Sequence, residues 1–421
     1  MATKIESPTT TREQLSKAAT RAGVGYSENP NSQEAGAEAA RAALANAGIE
    51  RCDLALLFTT SKHDPHAVLD GVHSVIGPDT RLVGGYAVGI ITNDRLGYEG
   101  HQVGVAVLSS GTMKAKLFIE LGLDRDERAV GARLGERLRT ARIDGEPNLL
   151  LMYDGVRGPA AEEVPFNLAT RLLEGLTDAM GKLPTTAGVG MFGDMQFNPT
   201  HQFFDDRVEQ QAAIALLLHG NVRMDTIIMH GCKPSGAYHT ITEAEGPVVL
   251  EIDGKPAFDA IADMLGPDAD RSWQEYPLFI TLGVNRGDKF GEFREQDYAN
   301  HLCMTVDQER RALVMFEPNL PAGTEVQLMR RSIDIDYVGV RTRELLARVA
   351  PRRPFFALYI DCCARASAYC DTESEEAEAV QQALGDVPLL GFYSGVEIAE
   401  VGGSVEPLDW TGVLCIFSEP A

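Results

Sequence analysis

A chain of 421 residues with 44% hydrophobic content can bury sizeable cores, and its length suggests two or three domains. The formal net charge of −23 repels nucleic-acid phosphates and anionic lipid surfaces, so neither nucleic acid nor a membrane is expected as a partner. Seven cysteines without regular spacing argue against a secreted disulfide framework, and no run approaches the roughly 20 apolar residues of a membrane span, so we expect a cytoplasmic protein.

The first predicted elements set a pattern that returns later in the chain. Residues 1–20 are polar and are predicted to form a disordered tail. Residues 54–60 are a short apolar run typical of a buried strand, and the apolar spacing after them predicts a helix over about 64–76. A glycine-bearing strand around Gly84 and an apolar strand at 103–109 complete the set.

Two later stretches repeat the order strand, helix, glycine-bearing strand and strand. A shared order with little sequence identity predicts three copies of one strand-helix-strand unit. Glycine on the middle strand permits close approach of another backbone or of a ligand. The segments are 148–154, 164–180, 188–193 and 212–218 in the second copy, and 355–361, 373–384, 389–398 and 412–417 in the third.

The region between the second and third copies predicts further strands and a domain boundary. Alternating apolar residues predict a β-hairpin over 240–256 that runs into a helix over 257–265. Pro267 and the polar residues after it separate a predicted domain at 21–266 from one at 277–421, which begins with an antiparallel meander. The predicted fold class is α/β, a layered αββα sandwich of mixed sheets built from repeated strand-helix-strand units.

Polar side chains around the first strand of the third copy predict a ligand site. Arg365 follows Asp361 by four residues and offers a planar guanidinium to a carboxylate, while Glu397 offers a carboxylate to an ammonium group. The Arg–Glu pair suits a zwitterionic amino acid, and the alternative is a structural ion pair of Arg365 with Asp361 or Glu397. The pocket is expected where the Gly84, His230 and Gly391 regions meet. The other candidate ligand-binding residues are Tyr393, Ser394, Cys362, His230, Cys232, Gly84, Gly85 and Tyr86.

Two clusters of residues suggest catalysis and metal binding, but neither function is predicted for them. His230 beside Cys232 is a pattern that raises thiolate character. Residues two apart on a strand share a face, so packing is the preferred interpretation and no catalytic residue is predicted. His66, Asp70 and His73 share one helical face with a spacing that suits two imidazoles and a carboxylate around a metal, but helix surfaces carry such coincidences by chance, so no metal is predicted.

The ordered set of these motifs resembles the FIST family, named for F-box and intracellular signal transduction proteins. Its amino-terminal module resembles Leu54–Ser110, the run His230–Pro234 and the hairpin Thr242–Ala257. Its carboxy-terminal module is similar to Asp361–Arg365 followed by Gly391–Ile398. The resemblance spans nearly the whole chain.

The resemblance implies a sensory role, and a cysteine-dependent enzyme is the least favoured alternative. FIST modules are regarded as small-ligand sensors of prokaryotic signalling systems, with amino acids proposed as ligands, so a small polar ligand is expected here. Some members bind haem, sense nitric oxide and regulate a histidine kinase, and this alternative leaves His66, His73, His230 and Tyr393 open as axial ligands. The two modules use the chain after residue 20, so a separate signalling protein is the expected partner and homo-oligomerisation stays open.

Overall fold

The computed structural model describes six stretches of the chain: residues 19–143, 145–157, 166–266, 280–331, 336–370 and 372–421. Within them the chain forms mixed sheets covered by helices, so the predicted α/β class with layered mixed sheets is confirmed. In those same stretches no helix has the length and apolar character needed to cross a bilayer. Residues 1–18 of the predicted tail lie outside the described residues.

Unit 1 covers residues 21–109 and alternates strands with helices before a hairpin and a last strand. Its strand order is β1-β6-β2-β3, in which β2 and β3 run parallel and the other neighbours antiparallel. Side-chain caps from Asn31 and Asp64 accept backbone N–H groups where its two helices begin. The elements are β1 Arg21–Ser27, α1 Ser32–Ala47, β2 Leu54–Thr59, α2 Pro65–Ile76, β3 Arg81–Tyr86, β4 Gly89–Thr92, β5 Leu96–Tyr98 and β6 Val103–Ser109.

Unit 2 has the same design over residues 113–220. Its strand order is β7-β12-β8-β9, and β8 and β9 are the parallel pair. The elements are β7 Met113–Leu121, α3 Glu127–Thr140, β8 Asn148–Asp154, α4 Ala169–Met180, β9 Thr185–Met191, β10 Gln202–Phe204, β11 Arg207–Glu209 and β12 Ala212–Gly220.

A seven-stranded sheet follows the first strand of unit 3, β13 Arg223–Met229. Its order is β14-β20-β17-β18-β19-β15-β16, and it closes on itself because β14 also pairs with β15. The predicted hairpin that runs into a helix is observed here as β14, β15 and α5. The elements are β14 Cys232–Glu245, β15 Val248–Ile252, β16 Lys255–Pro256, α5 Ala257–Leu265, β17 Thr281–Asn285, β18 Tyr298–Asp307, β19 Ala312–Met315 and β20 Glu325–Arg331.

Unit 3 resumes at residue 337 and repeats the design of the other two units. Its strand order is β13-β25-β21-β22, with β21 and β22 parallel. The shared order of the three units is observed, whereas their origin by duplication stays a prediction. The remaining elements are α6 Tyr337–Val349, β21 Arg353–Cys362, α7 Ser367–Cys370, α8 Glu376–Leu384, β22 Leu389–Ser394, β23 Glu397–Val401, β24 Ser404–Leu408 and β25 Gly412–Glu419.

Each unit gives its hairpin to the sheet of another unit. The β4–β5 hairpin of unit 1 pairs with β22 of unit 3, β10–β11 of unit 2 pairs with β3, and β23–β24 of unit 3 pairs with β9. The exchange is cyclic, so each of these sheets contains strands of two units. Strand β13 belongs to unit 3 although it precedes the predicted domain boundary. That boundary, over residues 267–279, lies outside the described residues and stays a prediction.

The glycine on each middle strand lies where the exchanged strand arrives. Gly84 of β3, Gly188 of β9 and Gly391 of β22 each oppose a residue of the incoming strand. An added Cβ would lie 1.8 Å from the Leu57 carbonyl oxygen at Gly84 and 2.4 Å from the Leu151 carbonyl oxygen at Gly188. A larger side chain would push neighbouring strands apart, which explains the glycine-bearing pattern physically.

The inner faces of the three sheets meet in one apolar core. Phe58 of β2 stacks on Phe392 of β22 with ring centroids 4.1 Å apart, and Met152 of β8 and Ile360 of β21 belong to the same cluster. Helices α1 and α2, α3 and α4, and α6 and α8 cover the outer faces of units 1, 2 and 3. The layers therefore run from helices through sheets to a shared centre, with three sheets rather than two meeting there.

Candidate functional site

Arg365 lies inside the protein, with 1% of its surface exposed. Its guanidinium donates to Asp361 Oδ1 at 3.0 Å, to Glu376, and to the carbonyl oxygens of His230 and Trp410 at 3.1 and 3.2 Å. This geometry is that of a structural ion pair, the alternative to ligand binding, because the guanidinium is engaged from several sides. A ligand-binding role for Arg365 stays a prediction, and a carboxylate ligand would have to displace these partners.

Glu397 is also fully buried and is not paired with Arg365. Its Oε2 accepts the backbone N–H of Thr411 at 3.3 Å, and its Oε1 has no hydrogen-bond partner among the described residues. Burial, followed by the charges of Cys362 and Asp409, raises the pKa of Glu397 well above its usual range. Burial therefore disfavours the charged form of this carboxyl and weakens it as a partner for a ligand ammonium group.

Further buried carboxyls predict an unusual dependence of stability on pH. Burial raises the pKa of Glu317 to about 7 and that of Asp409 to about 8. The carboxyls of an unfolded chain titrate at about 4. Between that pH and the raised pKa values of the folded protein, the native state binds more protons than the unfolded state. We expect the free energy of unfolding to fall by about 1.4 kcal/mol per pH unit and per group as the pH rises through this window.

Urea unfolding at several pH values between about 5 and about 8 measures this slope. Glu317→Gln should flatten it, because a neutral amide has no proton to lose. Glu136→Gln is the control, since Glu136 lies on the surface of α3 with 57% of its side chain exposed. Equal slopes in the two variants would contradict the assignment to Glu317.

Tyr393 and Ser394 make contacts that join separate segments of the chain. The Tyr393 hydroxyl donates to Glu375 at 2.9 Å. Ser394 Oγ accepts the backbone N–H of Phe192 at 3.0 Å and donates to the Gly190 carbonyl oxygen at 3.0 Å. Both hydroxyls therefore already have protein partners, and the predicted ligand contacts of these two residues stay predictions.

His230 and Cys232 are buried beside each other at the start of the seven-stranded sheet. The backbone N–H of Cys232 donates to His230 Nδ1 at 3.0 Å, and Cys232 Sγ donates to the His230 carbonyl oxygen at 3.4 Å. Burial lowers the pKa of His230, so its imidazole is neutral. At Cys362, the hydrogen bond with Cys363 and then burial raise the thiol pKa well above its usual value. The pair at 230 and 232 is thus buried and bonded internally, and the ligand contacts predicted for His230, Cys232 and Cys362 stay predictions.

The four candidate axial ligands for haem differ in whether their ligating atoms have partners inside the protein. The ring nitrogens of His73 lie 3.1 and 2.9 Å from two backbone carbonyl oxygens. His230 Nε2 lies 3.3 Å from a further carbonyl oxygen, and the Tyr393 hydroxyl donates to a carboxylate. His66 is exposed on α2. Three of these residues would have to break internal contacts before binding iron, so they do not fit a haem as they stand.

Gly84, Gly85 and Tyr86 lie on β3 against the hairpin that unit 2 supplies. The Tyr86 hydroxyl donates to the His63 carbonyl oxygen at 2.7 Å, and its ring meets the His201 ring edge-on at 5.1 Å. An added Cβ at Gly85 would lie 3.0 Å from the His201 carbonyl oxygen. These three residues therefore fix the loop after β2 beside unit 2.

An open cleft of about 250 Å³ lies next to this loop, where all three units meet. Unit 1 contributes residues after β2 and after β5, unit 2 contributes residues after β9, and unit 3 contributes α7. Loops at the ends of strands are held by a rigid sheet and are where binding groups are commonly placed. The side chains around the cleft include Ser61, Lys62, Glu99, Asp194, Met195 and Tyr369.

The cleft carries charges of both signs. Lys62 and Glu99 are exposed on its walls. Asp194 accepts hydrogen bonds from Ser61 Oγ at 3.2 Å and from Asn198 Nδ2 at 2.9 Å. Burial alone would raise the pKa of Asp194, but these hydrogen bonds outweigh it and the pKa is lowered. Asp194 is thus an ionised residue that holds the loop, whereas Lys62 and Glu99 are exposed residues of the cleft lining.

Glu99 has an uncommon backbone conformation. Its φ of 65° places it in the left-handed region, which residues with a Cβ rarely adopt. Its carboxylate accepts a hydrogen bond from the hydroxyl of Tyr369, whose pKa is raised by burial and by this contact, so the phenol remains a donor. Strained residues of this kind cluster at ligand sites and switches.

The positions equivalent to Ser61 in the other two units carry different residues. Strand register aligns Ser61 with Gly155 of unit 2 and Cys363 of unit 3. A Cβ at Gly155 would lie 2.5 Å from the ring of Phe192, so that ring fills the space. Cys363 is 6% exposed. Both equivalent positions are buried, whereas Ser61 is half-buried at the cleft.

The cleft was not predicted from the sequence. Ser61 and Lys62 directly follow the predicted strand at 54–60, so the rule that polar residues at strand ends carry function could have found them. Glu99 lies in an irregular segment, and Tyr369 lies in a helix of only four residues, which is too short to give a periodic signal. Their proximity depends on the exchange of the β4–β5 hairpin, which the sequence pattern does not encode.

Comparison with known proteins identifies the family. The FIST N domain matches residues 53–255 and the FIST C domain matches residues 257–400. An uncharacterized protein of Mycobacterium bovis is 28% identical over 406 residues, which cover 94% of this chain and 98% of that protein. An uncharacterized protein of Mycobacterium tuberculosis is 25% identical over 400 residues, covering 94% and 99%.

More distant similarities cover parts of the chain. An uncharacterized protein of Methanocaldococcus jannaschii is 28% identical over 227 residues, covering 50% of this chain and 41% of that protein. The crystal structure of cyanuric acid hydrolase from A. caulinodans has a TM-score of 0.27 and 12% identity, covering 48% of this chain and 71% of that one. Because the two FIST domains match nearly the whole chain, the protein belongs to the FIST family, whose domains are associated with sensing in signal transduction.

Proposed function

We propose that this protein is a cytoplasmic small-ligand sensor that binds an amino acid or a similar small polar molecule and acts through a separate signalling protein. The observation that carries the proposal is the open cleft at the junction of the three units, with Lys62 on one wall and Glu99 on another. A ligand there touches all three units at once. Its binding free energy can therefore change how the units are held together.

The chemistry of the cleft suits a zwitterion. The Lys62 ammonium group can pair with a ligand carboxylate, and the Glu99 carboxylate with a ligand ammonium group. Met195 and Val88 add apolar surface to the lining of the cleft. A volume of about 250 Å³ is small for a drug-sized ligand but sufficient for an amino acid.

The amino-acid hypothesis is favoured over haem by the internal contacts of the candidate axial ligands. Tyr393, His230 and His73 each have their ligating atoms engaged inside the protein. Reconstitution with haemin tests the alternative directly. A Soret band that disappears in His66→Ala would support haem binding at the exposed histidine and would count against the amino-acid proposal.

A thermal-shift screen with each of the twenty amino acids tests the proposed function. At about 100 times its dissociation constant, a specific ligand should stabilise the protein by about 2.7 kcal/mol. Lys62→Gln and Glu99→Gln should each weaken binding about tenfold or more, because each removes a charge-assisted contact. Lys182→Gln is the matched control, since Lys182 is an exposed lysine away from the cleft.

Two outcomes would contradict the proposal. One is that no amino acid stabilises the unmodified protein. The other is that a stabilising amino acid binds Lys62→Gln and Glu99→Gln as tightly as it binds the Lys182→Gln control.

A further inference from the structure

We propose that the hydrogen bond between Tyr369 and Glu99 is a latch that couples the cleft to the starts of helices α6 and α8 in unit 3. The proposal rests on the proposed function in one respect, because the ligand of the cleft is the agent that releases the latch. The coupling between the cleft and the two helices exists in the ligand-free protein and can be measured without a ligand.

The latch joins two units across the cleft. Tyr369 lies on α7 of unit 3, and Glu99 follows β5 of the hairpin that unit 1 inserts beside β22. The neighbouring Tyr98 packs its ring 5.8 Å from that of Tyr369. The backbone N–H of Ala368 donates to the Tyr98 hydroxyl at 3.3 Å. Two consecutive residues of unit 1 therefore hold α7 in place.

A carboxylate connects α7 to the start of α8. Glu375, directly before α8, accepts the Tyr98 hydroxyl at 3.0 Å and the backbone N–H of Ser367 at 3.0 Å through Oε1. Its Oε2 accepts the Tyr393 hydroxyl at 2.9 Å. The Glu375 carboxylate thus ties the first residue of α7 to the start of α8, so a movement of α7 strains that contact.

Arg365 connects the same segment to both outer helices. It precedes α7 by two residues, and Cys370 Sγ donates to its carbonyl oxygen at 3.3 Å. Its guanidinium binds Glu376, the first residue of α8, and approaches the hydroxyl of Tyr337, the first residue of α6, at 3.4 Å. Arg365 and Tyr393 are then positioning residues that link the cleft to the helices instead of contacting the ligand.

A ligand can release the latch by competing for one carboxylate. An ammonium group at Glu99 offers a charged donor where Tyr369 offers a neutral one, and charge-assisted hydrogen bonds are the stronger kind. The left-handed backbone of Glu99 favours release, because a strained residue persists only while its surroundings hold it. Helices α6 and α8 cover the outer face of unit 3, where a second protein can sense the change.

Hydrogen exchange of the full chain without ligand tests the latch. In Tyr369→Phe we expect about tenfold faster exchange at α7 together with the first turns of α6 and α8, because the loss of one hydrogen bond lowers the opening free energy of a segment that moves as a unit. Tyr26→Phe is the matched control, since Tyr26 donates to Glu28 at 2.8 Å in unit 1. It should leave those three segments unchanged.

Faster exchange at α7 alone would overturn the proposal, as would equal changes in the Tyr26→Phe control. Should Tyr369→Phe accelerate exchange throughout the chain, Glu99→Gln provides the second measurement, because it weakens the same contact without altering side-chain shape. If no amino acid binds but exchange at the three segments rises together in Tyr369→Phe, the amino-acid proposal is wrong and the latch is supported. If an amino acid binds but exchange does not rise together at these segments, the sensor proposal is supported and the latch is wrong.

Discussion

A fragment of residues 1–266 should fail to fold by itself, although it contains the whole of the first predicted domain. It would contain β13 without its partner β25, the β4–β5 hairpin without β22, and β9 without β23. The central core would also lose Ile360 and Phe392, which pack in one cluster with Phe58. Exposed strand edges and a half-built core favour aggregation over a folded monomer.

Circular dichroism and urea unfolding measure the outcome for this fragment. We expect no cooperative transition, because the cyclic hairpin exchange makes the sheets depend on one another. Co-expression of residues 1–266 with residues 277–421 is the control, and it should yield a complex that unfolds cooperatively. A monomeric 1–266 fragment with its own cooperative transition would show that the exchanged hairpins do not link the folding of the two parts.

Arg365→Ala should strongly destabilise the folded protein. It would leave Asp361 and Glu376, 1% and 3% exposed, without the guanidinium that both contact. Removing one partner of a buried ion pair costs about 3–5 kcal/mol, because the remaining charge is uncompensated. Burial raises the pKa of Asp361 to about 6 even with the opposing charge of Arg365 present, so the loss should increase with pH.

Arg128→Ala is the comparison for the Arg365 substitution. Arg128 pairs with Asp178 at 2.7 Å on the surface of unit 2, with 55% of its side chain exposed. Surface ion pairs contribute less than about 1 kcal/mol. Equilibrium unfolding in urea compares the two variants, and a loss in Arg365→Ala no larger than in Arg128→Ala would refute the structural role of the buried network.

The prediction of the site illustrates what residue type alone can establish. Arg365 and Glu397 are candidates because a guanidinium and a carboxylate near strand ends suit a zwitterion, and both are in fact buried. Sequence does not show whether such a group faces solvent or an internal partner. Lys62 follows a predicted strand and is equally visible, but only the tertiary structure places it in one cleft with Glu99 and Tyr369.

The amino-acid sequence by itself determined the class of fold and the order of its elements. The signals were apolar runs bounded by turn residues, helical spacing between these runs and a glycine on each middle strand. These are local properties, because burial of one face and close backbone approach each restrict the residue type at individual positions. The resemblance to FIST modules followed from the same ordered motifs and agrees with the matched domains.

Only the tertiary structure decided which strands share a sheet and where an open cleft forms. The hairpins pair with sheets of other units, and the open cleft lies at the junction that this exchange creates. Pairing between segments hundreds of residues apart depends on the packing of the whole chain, and local periodicity does not carry it. The same packing encloses Arg365 and leaves Lys62 and Glu99 accessible.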